Sequence, residues 1–492
     1  MAGVALGPAP GWSRPSAGCT FGAMKESEDQ EAESNRVQAS GAARSGPERR
    51  MGGADILSRL ERRVVGAVDG EGLVAAVREL VAIPSWDGNE TPAQELMARW
   101  MEDVGLDVDL WEIDLAELGR HPAYCAEIQR SEALGLVGTL PGAGGGPSLL
   151  LNGHVDVVPP GDPALWTHPP FDAVVKDGRL YGRGALDMKG PLCASLFALR
   201  ALRKAGVTLQ GDLILESVVG EEDGGMGTLA AIVRGYRAQG AVVTEPTGLA
   251  VAPALAGALN FRVHVPGRAA HGAVRLEGVS AIEKFVPLYE AIMALEAERN
   301  RALAGDPLFR SYALPFPISV GTIRGGDWAS SVPDHLTFEG RMGASPGEDL
   351  EGARKALEMA VARAAEEDPW LRDNPPRVVW WGGQFEPARV PPDHPLVAAM
   401  RESTQAVMGR PARVLGMTYG ADMGLLVNHG STPTVLFGPG DIRRAHRPDE
   451  FVEVEELVTA ARALAVAAMR FCGVALSRPD GEEPAGEPSE GR

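Results

Sequence analysis

The chain has little of what marks several large protein classes. Its only four cysteines, Cys19, Cys125, Cys193 and Cys472, stand far apart and form no C-x-x-C pair. That spacing argues against a disulfide framework and a thiolate zinc site, and it fits free thiols in a reducing cytosol. No apolar run approaches the roughly 20 residues that cross a bilayer. The best candidate, Leu464 to Leu476, is short and broken by Arg470. A charged head followed by an apolar stretch is missing at the N-terminus, so no signal peptide is expected. Lys and Arg number 47 against 66 Asp and Glu, a formal net charge of −19, and no extended basic cluster offsets it. Nucleic acid and anionic membrane are therefore poor partners, because both are held through a positive footprint. The expectation is a cytoplasmic protein that binds neither.

What is there is ordinary in bulk and patterned in detail. The 492 residues, 45% apolar and 23% charged, imply more than one globular domain. Residues 1–52 are rich in Gly, Ala, Ser, Pro and charge, and residues 476–492 in Pro, Gly and Glu; both read as disordered extensions. Met24 and Met51 stand in the first as alternative starts. Helical periods run at 54–67, 72–82 and 92–104, followed by a strand at 107–113. LGLVGTLPG, the glycines of 142–146 and PSLLLNGHVDVVP read as strand, hairpin tip and strand. No helix follows GAGGGP, so a nucleotide loop is excluded by context. Helices at 190–204 and 226–238 then alternate with strands at 212–219 and 241–244, the signature of α/β layers.

At about residue 259 the pattern changes to β-α-β-β-α-β, the ferredoxin-like split unit. The expected fold is α/β: a mixed sheet between helices, with an inserted α+β ferredoxin-like lid. The catalytic domain would span 53–258 and 387–475, and the lid 259–386.

Five motifs carry carboxylates or imidazoles at strand ends. In GHVDVVPPGD, His154 and Asp156 are two apart and would share one face of a strand, so Asp156 could orient a metal-binding imidazole. In GRGALDMKGP, Asp187 lies between glycines and before a helix; it could bridge two cations or simply cap that helix. In VVGEEDGG, one of Glu221 and Glu222 could ligate a metal while the other takes a proton. Glu245 ends a strand in VVTEPTG, and His446 precedes the last helix in AHRPDE. Histidine and carboxylate donors together point to zinc.

The order GHVDVVP, GRGALDMKG, GEED, TEP, AHRPDE resembles the two-zinc hydrolase family of acetylornithine deacetylase, succinyl-diaminopimelate desuccinylase, aminoacylase and glutamate carboxypeptidase, over residues 55–473. The resemblance implies His154 and Glu245 on one zinc, Glu222 and His446 on the second, and Asp187 bridging. Cobalt or manganese could substitute. It implies Glu221 as general base and Asp156 as the partner of His154. Glu rather than Asp at 245 resembles the deacetylase and desuccinylase branch.

In the lid, His271 of GRAAHGA resembles a histidine that reaches a partner subunit's active site to hold the oxyanion, which implies a homodimer paired through the lid. Arg341 would clamp a substrate carboxylate, and Ser330 takes the place of a usual Asn in the substrate-binding stretch. The expected reaction is hydrolysis of an N-acyl amino acid or a related N-acylated small molecule. A dipeptidase or aminopeptidase of the same family is the alternative, a non-catalytic binding protein a remote one, and a serine hydrolase is set aside.

Overall fold

Long apolar runs and amphipathic periods build two main sheets with separate cores, beside two small ones of two and three strands, in the computed structural model, which describes residues 53–476. The extensions expected at 1–52 and 476–492 lie outside the described residues, apart from Leu476. Among those described, no helix is long and apolar enough to cross a membrane.

The larger sheet has nine strands. Its order is Asp107–Glu112, Leu134–Leu140, Leu213–Val218, Leu149–His154, Gly240–Val243, Thr434–Leu436, Val251–Leu255 and Ala388–Arg389, with Val414–Met417 also on Val251–Leu255. The middle four of these run parallel. Leu149–His154 is buried along its whole length, as a parallel strand covered by helices on both faces must be. Helices Lys189–Lys204 and Val454–Cys472 pack against each other beside it, almost entirely apolar where they meet the sheet.

Two local expectations fail for identifiable reasons. The strands Leu134–Leu140 and Leu149–His154 do not form a hairpin: Leu213–Val218 lies between them and pairs with both. The glycines of the connecting loop serve close approach instead. A Cβ at Gly146 would sit 2.1 Å from the Cys472 carbonyl oxygen. The helix expected to reach 238 stops at Arg234, because Gly235 takes a left-handed φ of 109° and caps it. Strands Val251–Leu255 and Val414–Met417 were not foreseen; each is short and lacks alternation.

The second sheet is antiparallel, in the order Ile318–Gly325, His335–Ala344, Gly257–Pro266, Arg377–Trp380. This is the ferredoxin-like arrangement, beginning two residues before the expected boundary. Helices Ala281–Ala302 and Leu350–Glu367 cover one face through Phe261, Phe338, Leu288 and Leu357. Both helices start on side-chain caps, Ser280 accepting from the Glu283 amide and Asp349 from the Gly352 amide. Strict alternation sends Asn260, Arg262 and His264 to the other face, together with Thr337, Glu339 and Arg341.

Candidate functional site

The carboxyl ends of the parallel strands converge on one buried cluster, where open α/β sheets place their ligands. His154 closes its strand and is 1% exposed. Its Nε2 lies 3.3 Å from Asp187 Oδ1, 3.8 Å from Glu221 Oε2 and 3.9 Å from Glu245 Oε1. On the other side, His446 Nε2 lies 3.5 Å from Asp187 Oδ2 and 3.0 Å from Glu222 Oε2. The two oxygens of Asp187 thus face two different imidazoles.

Each member is held by its own local geometry. The strand stops at His154, so Asp156 sits in the loop beyond it rather than on a shared strand face. His154 Nδ1 meets the Asp156 backbone carbonyl at 2.9 Å, with the Asp156 carboxylate 3.6 Å away. That carboxylate accepts the Glu222 amide at 3.0 Å. Asp187 does not cap the helix that follows: the capping position is Met188, without a side-chain bond. Its carboxylate is left for the cluster. His446 sits at a left-handed φ of 57°, rare for a non-glycine residue, and its side chain is 53% exposed.

Burial dominates the electrostatics. It pushes the carboxyls of Glu221, Glu222 and Glu245 above their ordinary range, with neighbouring carboxylates adding to the rise and the histidines opposing it. Burial would lower His154, but Asp156, Asp187, Glu221 and Glu245 outweigh it and hold the imidazole well above its usual value. The Glu222 charge leads in raising His446 to about 11. Asp187 resists its own burial because both imidazoles bond to it, and its carboxyl lies below the ordinary range.

Four carboxylates around two imidazoles, largely out of water, form a donor set that calls for cations. Donor atoms around a tetrahedral zinc bound at about 2.0–2.2 Å lie roughly 3.3–3.6 Å apart. The spacings of 3.0–3.9 Å here bracket that range. Two trios of this cluster are close enough to hold an ion, His154 with Asp187 and Glu222, and His154 with Glu221 and Glu245; a third such trio, Asp327, Asp334 and His335, is exposed and lies outside the cluster. The nitrogen and oxygen donors present therefore fit divalent metal.

The remaining expected residues lie in the lid. His271 is exposed and pairs across a two-residue ladder with Ser331; its Nδ1 accepts the Ala273 amide at 3.1 Å. Ser330 is exposed beside it and accepts the Gly272 amide through its carbonyl at 2.7 Å. These two are brought to each other, and neither touches the buried cluster of its own chain. Arg341, half-buried on the polar face of the lid sheet, pairs with no carboxylate among the described residues. Burial alone lowers its pKa.

One string of the form G-x-S-x-G does occur, Gly343 to Gly347. Its Ser345 is buried and bonds Glu348 at 3.4 Å, with no histidine in contact among the described residues, so it is not an exposed nucleophile.

Several supporting residues escaped the sequence reading. Glu450 ends the AHRPDE string and is 1% exposed. Its Oε1 accepts the amides of Gly184, Leu186 and Asp187 at 2.9, 3.1 and 3.2 Å, and its other oxygen pairs with Arg183. Arg130 bridges Glu90 and Asp223, each at 2.9 Å, and so pins the loop that carries Glu222. Tyr419 donates to the Pro246 carbonyl at 3.2 Å, beside Glu245. Behind His154, Asn152 joins Glu216 and Thr228, and Thr228 donates to Asp422 at 2.5 Å. Glu450 and Arg183 stand inside the quoted motifs, which was their only signal. Asp223 stands in VVGEEDGG, and the resemblance itself places a polar residue at Asp422 of YGADMGLL near the site; the rest carry no signal in sequence, since their partners are distant along the chain.

Comparison with known proteins gives likenesses of sequence and of fold. The sequence profile described as peptidase family M20/M25/M40 matches residues 150–470. The chain is 30% identical over 392 residues to N-formyl-4-amino-5-aminomethyl-2-methylpyrimidine deformylase of Bacillus subtilis, covering 75% of this chain and 87% of that one. It is 28% identical over 414 residues to acetylornithine deacetylase of Salmonella paratyphi B, covering 80% and 96%. A metallo-carboxypeptidase structure from Sulfolobus solfataricus superposes with a TM-score of 0.64 at 17% identity, covering 81% of this chain and 98% of that one, and so shares the fold.

Proposed function

The chain belongs to peptidase family M20/M25/M40, and on that premise we propose that it hydrolyses the amide bond of a small N-acylated molecule, such as an N-acyl amino acid. The observation that carries this reading is Asp187, whose two oxygens lie 3.3 and 3.5 Å from two different imidazoles, as a bridging ligand requires. His154 and Glu245 would complete one zinc site, and His446 and Glu222 the other, with Asp187 common to both; cobalt or manganese suits the same donors. Divalent ions bound there supply a Lewis acid and lower the pKa of a water beside them.

The chain's own residues do the rest. Glu221, buried and 3.8 Å from His154, takes the proton from water as its oxygen adds to the amide carbon. It then returns that proton to the departing nitrogen. The Asp156 carbonyl fixes the His154 ring through Nδ1. Arg341, with no carboxylate of its own, offers its fork to a carboxylate on the substrate. His271 and Ser330 serve the site of a second subunit, His271 stabilising the oxyanion.

That role implies a homodimer joined through the lid. Strand Ile318–Gly325 is an open edge of the lid sheet with Ile323 half-exposed, and Ile282, Val286 and Tyr289 are exposed on the adjoining helix. An unpaired edge beside apolar surface is a site for pairing with another chain. The three free thiols within the described residues suit a cytoplasmic setting.

The relatives named above remove formyl and acetyl groups, which sets the test. Metal-loaded protein is offered N-formyl, N-acetyl and N-succinyl amines and amino acids, alongside dipeptides, and metal content is measured in parallel. Turnover on the N-acyl compounds that disappears in Glu221→Gln supports the reading. A preference for dipeptides would replace it with a peptidase, and protein that binds no metal would overturn it.

A further inference from the structure

Five arginines from three separate stretches of the sequence, Arg179, Arg410 with Arg413, and Arg443 with Arg444, line a single cavity of about 910 Å³. Its acidic lining is Asp441, Glu453 and Glu456, so five cationic groups face three anionic ones. This excess stands in a chain whose formal charge is −19.

The acids are already engaged. Arg179 pairs with Glu453 at 2.8 Å, Arg443 with Asp441 at 2.5 Å, and Glu456 accepts the Gly440 amide at 2.6 Å. Arg410, Arg413 and Arg444 have no carboxylate partner among the described residues. Two of the guanidiniums are fixed by one ring: Arg179 and Arg444 lie 4.6 and 5.3 Å from the centroid of Phe451. Arg413 reaches the backbone at Gly248, where a Cβ would be 3.5 Å from its Nη2. The floor is the Gly248 amide bonded to the Gly440 carbonyl at 2.7 Å. It lies just past the carboxyl ends of strands Gly240–Val243 and Thr434–Leu436, the edge of an open sheet at which ligands collect.

We propose that this cavity is a second binding site, for a tetrahedral oxyanion with two negative charges, of the phosphate or sulfate type. Guanidinium forks bind such oxygens in pairs; Arg444 is both unpaired and stacked on Phe451, and Arg410 and Arg413 are unpaired beside it. None of these residues belongs to the buried histidine–carboxylate cluster, so the inference does not depend on how that cluster works.

The test is calorimetric titration of inorganic sulfate into the metal-loaded full chain, with inorganic phosphate as a second probe. Wild-type protein should bind sulfate with Kd of about 1 mM or tighter. Arg413→Ala and Arg444→Ala should each weaken binding at least about tenfold, with unchanged thermal melting. Arg413→Lys should recover only part of it, because the fork is lost. Arg341→Ala should leave it unchanged. No sulfate binding, or equal binding by wild type and both alanine variants, overturns the proposal. Loss in Arg341→Ala alone would assign the anion to the lid and overturn it equally.

Discussion

Arg183 and Glu450 form an ion pair whose side chains are 3% and 0% exposed, and the same glutamate accepts three amides of the loop that presents Asp187. A charge this deep is tolerated only with its partner in place. Glu450→Gln would leave Arg183 without its countercharge and loosen the Asp187 loop. The expected cost is about 3–5 kcal/mol of folding stability, read as a lower midpoint in urea unfolding. Metal affinity should fall with it. An unchanged midpoint would show that the pair does not hold the loop.

Glu221→Gln keeps the volume of the side chain and removes its capacity to accept a proton. Turnover should drop by about 10²–10⁴-fold, the usual contribution of a general base, while metal content measured by emission spectroscopy stays at the wild-type level. Retained turnover would assign the proton transfer elsewhere.

Asp187→Asn weakens the ligand proposed to be shared by two metal sites. Bound metal per chain should fall and activity should fall with it, and the stoichiometry separates this variant from Glu221→Gln. Full occupancy in Asp187→Asn would contradict bridging.

The cross-subunit role proposed for His271 makes a complementation prediction. His271→Ala and Glu221→Gln should each be nearly inactive alone. Unfolding and refolding them together in equal amounts should restore about a quarter of wild-type activity, because random pairing makes half the dimers mixed, each with one intact site. Light scattering should report a dimer throughout. No recovery, or an active monomer, would place the oxyanion group within one chain.

Glu216 is fully buried beneath the cluster, bonded to Asn152 on one oxygen and without a partner on the other. Burial raises its carboxyl to about 8. A raised carboxyl stabilises the fold at low pH and loses that stabilisation as the pH climbs from the unfolded value to the folded one. The loss is on the order of 1.4 kcal/mol per pH unit across that window. Glu216→Gln removes it, so urea midpoints measured from pH 5 to pH 8 should decline less steeply in the variant. Identical slopes would mean that Glu216 is ionised in the fold.

Much of this protein was legible before any coordinates. The alternation of apolar runs placed most helices and strands within a few residues, because period and capping chemistry are local properties. The members of the buried cluster and their order were legible too, since each of His154, Asp187, Glu221, Glu222, Glu245 and His446 stands in a short, chemically unusual string. Tertiary structure alone decided how those strings meet. Strand Leu213–Val218 inserts between two neighbours in sequence and turns an expected hairpin into a crossover. That insertion sets Glu221 and Glu222 beside His154, and the close of the chain brings His446 to the second oxygen of Asp187. The arginine cavity was not legible in sequence, because Arg179, the pair Arg410 and Arg413, and the pair Arg443 and Arg444 stand in three stretches that only the fold brings together. The separation of His271 from its own chain's cluster also belongs to the fold. Side-chain chemistry is written residue by residue, whereas the distance between two side chains is set by strand order and packing, and those are settled by the whole chain at once.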